Sequence, residues 1–142
     1  MTEIKYRTTL AGVDWQEMKA TLAADNFDNG RTPEQYRISF ENSDFVVIAY
    51  AEGRIIGTVR ALSDGVCNAY IVDVWTLSAY RRRGIATAMM KICLEQFPGQ
   101  HIYLFTDDAR EFYKQLGFAE QGTGLGRVVG RWLDGSSLLE NR

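Results

Sequence analysis

Hydrophobic positions along this chain recur with a period near 3.6 in some stretches and near two in others, which separates helices from strands. The opening "IKYRTT", residues 4–9, alternates and predicts a first strand. Over 14–26, "DWQEMKATLAADN", Trp15, Met18 and Leu22 share one helical face behind Asp14, a good N-cap. Residues 32–43, "TPEQYRISFENS", predict a second helix, with Thr32 as cap and Pro33 in the first turn, where no backbone donor is missed.

After that helix the texture becomes strand-like. Strands are predicted over 45–51 and 54–62, joined by a tight turn at Glu52-Gly53. "CNAYIVDVWTL", 67–77, is a third strand, apolar enough to be covered on both faces. From Gly84 to about Phe97 the period is helical again, with Ile85, Ala88, Met89, Ile92 and Phe97 inward and Pro98-Gly99 as the stop. "HIYLFT", 101–106, predicts a strand, and "DDAREFYKQLG", 107–117, a helix closed by Gly117. "FAEQG" starts a short strand, and "RVVGRWL", 127–133, supplies a last one after a glycine-rich connection. The order is β-α-α-β-β-β-α-β-α-β-β, an α/β or α+β fold in a single domain over 1–142. The strand–helix–strand unit from 67 to 106 predicts one parallel pair in an otherwise antiparallel sheet.

Composition narrows the function. Of 142 residues, 46% are hydrophobic, enough for a real core, and the net charge of −2 argues against general nucleic-acid binding. The longest apolar run, 45–51, is too short to span a bilayer. The two cysteines, Cys67 and Cys93, form no CxxC pair, and no secretory signal opens the chain; a reducing cytoplasm is the expected setting. Both cysteines read as structural. The single histidine, His101, leaves no His-based metal cluster, so no metal is expected, and it reads as a strand-edge residue.

Positive charge is nevertheless concentrated in "YRRRGIATAMM", 80–90. A strand ending at Leu77, a short turn and a helix opening at Gly84 place the helix's free N–H groups and positive dipole end in that turn. Gly84 permits close approach to the backbone. Taken alone, the segment is either an anion seat or a solvated basic loop. Asp73 raises a second question. It is the one ionised group within an apolar strand, and a buried carboxylate needs either a catalytic task or a structural hydrogen-bond partner. With an ordinary pKa near 3.9 it would act as a base only through water or after an upward shift.

"RRRGIA", Arg81 to Ala86, resembles the Arg/Gln-x-x-Gly-x-Gly/Ala signature of the GCN5-related N-acetyltransferase (GNAT) superfamily. "AREFYKQLGF", Ala109 to Phe118, resembles that superfamily's second common block, with an alanine, a tyrosine four residues on and a Gly-Phe pair. The resemblance covers about 45–118 and implies a mixed, mostly antiparallel sheet of about six or seven strands and about four helices, splayed open between two central parallel strands. It implies that acetyl-CoA is held with its diphosphate on backbone N–H groups of Arg82, Arg83, Gly84, Ile85, Ala86 and Thr87. Arg81 then matches the first signature position, and the Arg83 side chain reaches either the nucleotide's phosphates or water. By the same resemblance, unpaired backbone groups of Trp75, Thr76 and Leu77 pair with the pantetheine arm, and the Leu77 N–H serves as an oxyanion-type donor. Tyr113 matches the tyrosine that protonates the departing thiolate. Thr106 stands where relatives often carry a cofactor-holding Asn, a departure that shortens the reach. Arg82 stands at a position often held by glycine.

The resemblance implies acetyl transfer to a primary amine by direct attack in a ternary complex, with Tyr113 and Asp73 as the candidate catalytic residues. The alternative is a non-catalytic CoA-binding sensor or assembly module. The block from Arg60 to Met90 is also similar to the serotonin N-acetyltransferase-like subgroup, which implies small primary amines, arylalkylamines among them. Trp75, Tyr36 and Phe40 either line an acceptor pocket or belong to the core. No nucleic acid or membrane partner is expected, and the glycine-rich 122–130 stretch with the last strand offers an edge for a homodimer.

Overall fold

The computed structural model describes residues 2–133. Residues up to Thr106 form one compact unit and the chain from Asp107 onward forms a second. In the first unit, β1 (Ile4–Arg7), β2 (Phe45–Ala51), β3 (Arg54–Ser63), β4 (Asn68–Thr76) and β5 (His101–Tyr103) lie side by side in sequence order. All neighbours are antiparallel except β4 and β5, which are parallel. The parallel pair is reached through a 3-10 turn, Ser78–Tyr80, and helix α3 (Ile85–Leu94).

Helices α1 (Trp15–Ala24) and α2 (Pro33–Glu41) start where side chains satisfy their free donors. Asp14 accepts from the Glu17 N–H at 3.0 Å, and Thr32 and Gln35 exchange bonds in a capping box. Their apolar faces, Met18, Leu22, Tyr36 and Phe40, pack on Val46, Ile48 and Ile55 of the sheet and on Trp75. Side chains alternate along β2, so Phe45, Val47 and Ala49 face the other way. That face is covered by α3. Gly57, the partner of Ala49, lies beneath Met89, and a Cβ built there would stand 2.9 Å from the Met89 Cε. Phe45 meets Phe97 edge-on at 6.5 Å.

The feature that shapes the site is a bulge in β4. Thr58 pairs with Trp75 and Arg60 with Val72, so Asp73 and Val74 together oppose the single residue Val59. Asp73 takes the left-handed conformation, φ 57°, which Asp tolerates better than most residues. Pairing with β5 covers only Asn68–Tyr70 opposite His101–Tyr103 and ends just before the bulge. A bulge bends and twists its strand, so beyond Tyr70 the two parallel strands part.

The second unit contains α4 (Arg110–Gln115), closed by Gly117 at φ 94°. The strands expected over 118–122 and 127–133 are not formed, so the sheet among the described residues has five strands rather than six or seven. Val128, Val129 and Trp132 favour strands by type, yet all three are exposed, and propensity alone does not hold a strand without a ladder partner. Residues 134–142 lie outside the described part.

Candidate functional site

The arginine-rich segment is a turn that delivers the chain into α3. Arg82 (φ 64°) and Gly84 (φ 79°) both adopt left-handed backbone, a cost that Gly84 avoids by having no Cβ. The first intrahelical bond runs from the Ala88 N–H to the Gly84 carbonyl at 3.0 Å. The N–H groups of Ile85, Ala86 and Thr87 thus precede the helical ladder, and unlike those of α1 and α2 this helix start has no side-chain cap. Nothing lies within 4 Å of where a Gly84 Cβ would stand, so there is open space beside this residue. Arg82 and Arg83 are exposed around the turn, with the Arg83 guanidinium 5.1 Å from the centre of the Tyr80 ring.

The end of β4 differs from the expectation in two of three residues. The Leu77 N–H donates to the Ile56 carbonyl of β3 at 2.8 Å, so it faces into the sheet and cannot serve as an oxyanion donor. Trp75 pairs with Thr58, and its side chain is 2% exposed, with the indole N–H donating to Asp25 Oδ2 at 2.9 Å. Thr76 is the residue that faces outward. Because the Leu77 N–H reaches Ile56, Thr76 sits opposite Gly57 at a non-hydrogen-bonded position, and its own N–H and carbonyl turn away from β3 toward the side that β5 has left. Its hydroxyl is buried and has no hydrogen-bond partner among the described residues.

Asp73 has structural partners. The Arg31 Nη2 donates to both carboxylate oxygens at 3.0 Å, and the Arg60 Nε donates to Oδ2 at 2.5 Å. The three side chains are only 6%, 14% and 11% exposed for Arg31, Arg60 and Asp73, so one carboxylate is shared by two guanidiniums in a largely dry place. Arg31 also lies over the Tyr36 ring at 4.1 Å, and the Tyr36 hydroxyl donates to Asp28 Oδ1 at 2.5 Å. Trp75, Tyr36 and Phe40 are buried in the core cluster.

Sequence reasoning passed over Asp25, Arg31 and Arg60. Asp25 ends α1, where a negative charge opposes the helix dipole, a sign that it is needed elsewhere. It accepts from the Trp75 indole, from the Ser78 N–H at 3.1 Å and Oγ at 2.5 Å, and from Arg81 at 3.3 Å. Burial pushes its carboxyl up, but the bonds from Ser78 and Trp75 and the charge of Arg81 outweigh that and hold it below the ordinary value. Arg60, a cation inside the apolar run "IIGTVRAL", carried its own signal, since such a group requires a counter-charge.

Tyr113 lies on α4 of the second unit, buried beside Phe112 and Phe118, with ring centres 5.0 and 5.9 Å away. Burial, then the Asp108 charge, pushes its phenol up to about 12, so the hydroxyl keeps its proton throughout the neutral range. Thr106, the last residue of the first unit, is exposed beyond the end of β5. Cys93 is buried, and its thiol is pushed up to about 12 by desolvation. Cys67 is exposed but its thiol is raised by the hydrogen bond to Asp64, and neither is an activated nucleophile. Among the described residues there is no group of His, Cys, Asp and Glu able to hold a metal, and no helix long and apolar enough to cross a membrane.

A mixed sheet that opens between two parallel strands, beside an uncapped helix start reached through a left-handed glycine, defines an α/β architecture with free helix donors at one end of a seam. The profile of the acetyltransferase (GNAT) family matches residues 14–118, and the chain belongs to that family. A curated relative, GCN5-related N-acetyltransferase 1, chloroplastic, of Arabidopsis thaliana, is 26% identical over 129 residues, covering 87% of this chain and 65% of that protein. This chain thus spans less than two thirds of that relative's length. Among solved structures, a Deinococcus radiodurans protein assigned to the acetyltransferases superposes with a TM-score of 0.77 at 27% identity, covering 89% of this chain and 93% of the other. An aminoglycoside acetyltransferase from an uncultured soil metagenomic sample gives 0.70 at 22% identity, with 90% and 99% covered, and speaks for the fold alone.

Proposed function

We propose that this chain is an acetyl-CoA-dependent N-acetyltransferase acting on a small primary amine in the cytoplasm, by direct attack in a ternary complex. The observation that carries the reading is the start of α3. Three N–H donors without a side-chain cap, a left-handed glycine with open space above it and two exposed arginines suit a diphosphate. The unpartnered Thr76 hydroxyl and the outward-turned Thr76 backbone suit an amide-bearing arm laid along the parted strands. Acetyl-CoA, when bound, supplies the acyl group as an activated thioester.

The residues then divide the work. Ile85, Ala86 and Thr87 hold negative charge with their N–H groups, and Arg82 and Arg83 add positive charge around it. Thr76 orients the arm. Tyr113, protonated at neutral pH, donates a proton to the leaving thiolate. Asp73 is a positioning residue rather than a base, because the lone pairs a base would use are engaged by Arg31 and Arg60. An alkylamine with a pKa of about 10 therefore reacts from the small fraction already deprotonated or loses its proton through water.

The test is release of free CoA from acetyl-CoA with a panel of arylalkylamines, polyamines, aminoglycosides and peptide N-termini. Amine-dependent release, lowered about a hundredfold in kcat by Tyr113→Phe with CoA affinity kept, is the expected result. CoA binding without release on any amine would assign a non-catalytic CoA-binding module instead.

A further inference from the structure

Thr76 presents two polar groups at the parting of β4 and β5, and they are treated differently. Its hydroxyl has no partner among the described residues, although the residue is only 9% exposed. Its carbonyl, turned away from β3, accepts a hydrogen bond from the Arg81 Nε at 3.0 Å. The acceptor that an incoming amide would seek along this edge is thus already taken by a side chain of the neighbouring turn. An edge carbonyl without a partner is costly, and Arg81 removes that cost.

Arg81 is held loosely enough to leave. Its side chain is 54% exposed, and its second contact, to Asp25 Oδ2, is a long 3.3 Å. Half-exposed pairs of this kind contribute little. Its departure does not strand Asp25, which keeps the Trp75 indole and both donors of Ser78. Arg81 also stands at the entrance to the turn that leads into α3, where a guanidinium gains more from a phosphate, by two-pronged and fully charged bonds, than from one neutral carbonyl.

We propose that Arg81 is an exchangeable cover of the Thr76 carbonyl: it yields that acceptor to an amide of the pantetheine arm and moves to the donor's diphosphate. The proposal rests on the acetyl-CoA reading of the site. Binding of the arm and binding of the diphosphate are then coupled through one side chain, so a ligand with an arm and no diphosphate has to displace Arg81 without giving it a new partner. Long ligands are favoured over their own fragments.

The experiment measures affinity, not turnover, for CoA by calorimetry and for pantetheine, which lacks the diphosphate and nucleotide, by NMR titration. The proteins are the wild type, Arg81→Ala and Arg81→Met, the last keeping the aliphatic stem, with thermal unfolding as the check on folding. Both variants are expected to bind pantetheine about three- to tenfold more tightly than the wild type and CoA about tenfold more weakly. Opposite signs for the two ligands cannot come from simple loss of structure. If either folded variant binds pantetheine no better than the wild type, the exchange is overturned while CoA binding to the wild type keeps the underlying reading. If the wild type fails to bind CoA, the reading itself falls and the exchange with it.

Discussion

Replacing Asp73 by Asn separates a structural carboxylate from a catalytic one. Asn is close to the same size and tolerates the left-handed φ of 57° about as well as Asp, so the bulge keeps its backbone. What changes is charge. Arg31 and Arg60, 6% and 14% exposed, lose their shared counter-ion, and one of the acceptor oxygens becomes a donor facing a guanidinium. Removing one partner of a buried pair costs about 3–5 kcal/mol. The amide oxygen still accepts one bond, which returns about 1 kcal/mol and leaves a loss of about 2–4 kcal/mol. For a chain of this size that is a fall in Tm of about 6–12 °C. Urea and thermal unfolding followed by tryptophan fluorescence measure it directly. The exposed Arg37, paired with Glu34 and Glu41 on α2, is the internal contrast: Glu34→Gln should leave the unfolding midpoint almost unchanged. An Asp73→Asn protein as stable as the wild type but unable to release CoA would refute the reasoning, because it would make the carboxylate a base.

Other predictions probe packing and ionisation. Gly57→Ala should lose about 1–3 kcal/mol in urea unfolding, because the new Cβ meets Met89 and, at 3.2 Å, the Trp75 carbonyl, which cannot step aside. Gly84→Ala, with no neighbour to strike, should lose only about 1 kcal/mol of stability from its left-handed φ but weaken CoA binding measured by calorimetry. Alkaline pH should destabilise the fold. Cys93 and Tyr113 are each pushed up to about 12 by burial, and Tyr36 is raised by burial and by its bond to Asp28, while ordinary thiols and phenols ionise near 9.0 and 10.0. Their contribution is complete below the lower values and is lost as pH climbs through the raised ones, so the urea midpoint should hold to about pH 9 and then fall. A midpoint that does not change up to about pH 11 would contradict the burial of these groups.

The helices and the hairpin strands were legible because their signals are local. Asp14 and Thr32 cap as their types suggest, and β2 runs from Phe45 to Ala51 as the apolar run predicts. The errors lie where structure depends on a distant partner. "RVVGRWL" reads as a strand by type, but a ladder needs a neighbour. "HIYLFT" was expected to be a strand over 101–106 and is one only over His101–Tyr103. The Leu77 N–H was expected on the open side of its strand by resemblance to the family, and instead it bonds Ile56; no local pattern in "IVDVWTL" announces the bulge beside it. The buried Asp73 was recognisable as a charge in want of company. Which arginines supplied it, from positions 31 and 60, was a matter of tertiary structure.

One surplus residue in β4 therefore bends the strand without changing which β3 residues its last rungs face. Deleting Val74 would set Asp73 alone opposite Val59 and let β4 run flush along β3, while Trp75 kept Thr58 and Thr76 kept Gly57 as partners. The cleft would be zipped into ordinary sheet. On this view the place where a ligand can lie is a counting mismatch between two adjacent strands, and shortening the chain by one residue is a sharper way to erase it than changing any side chain that lines it.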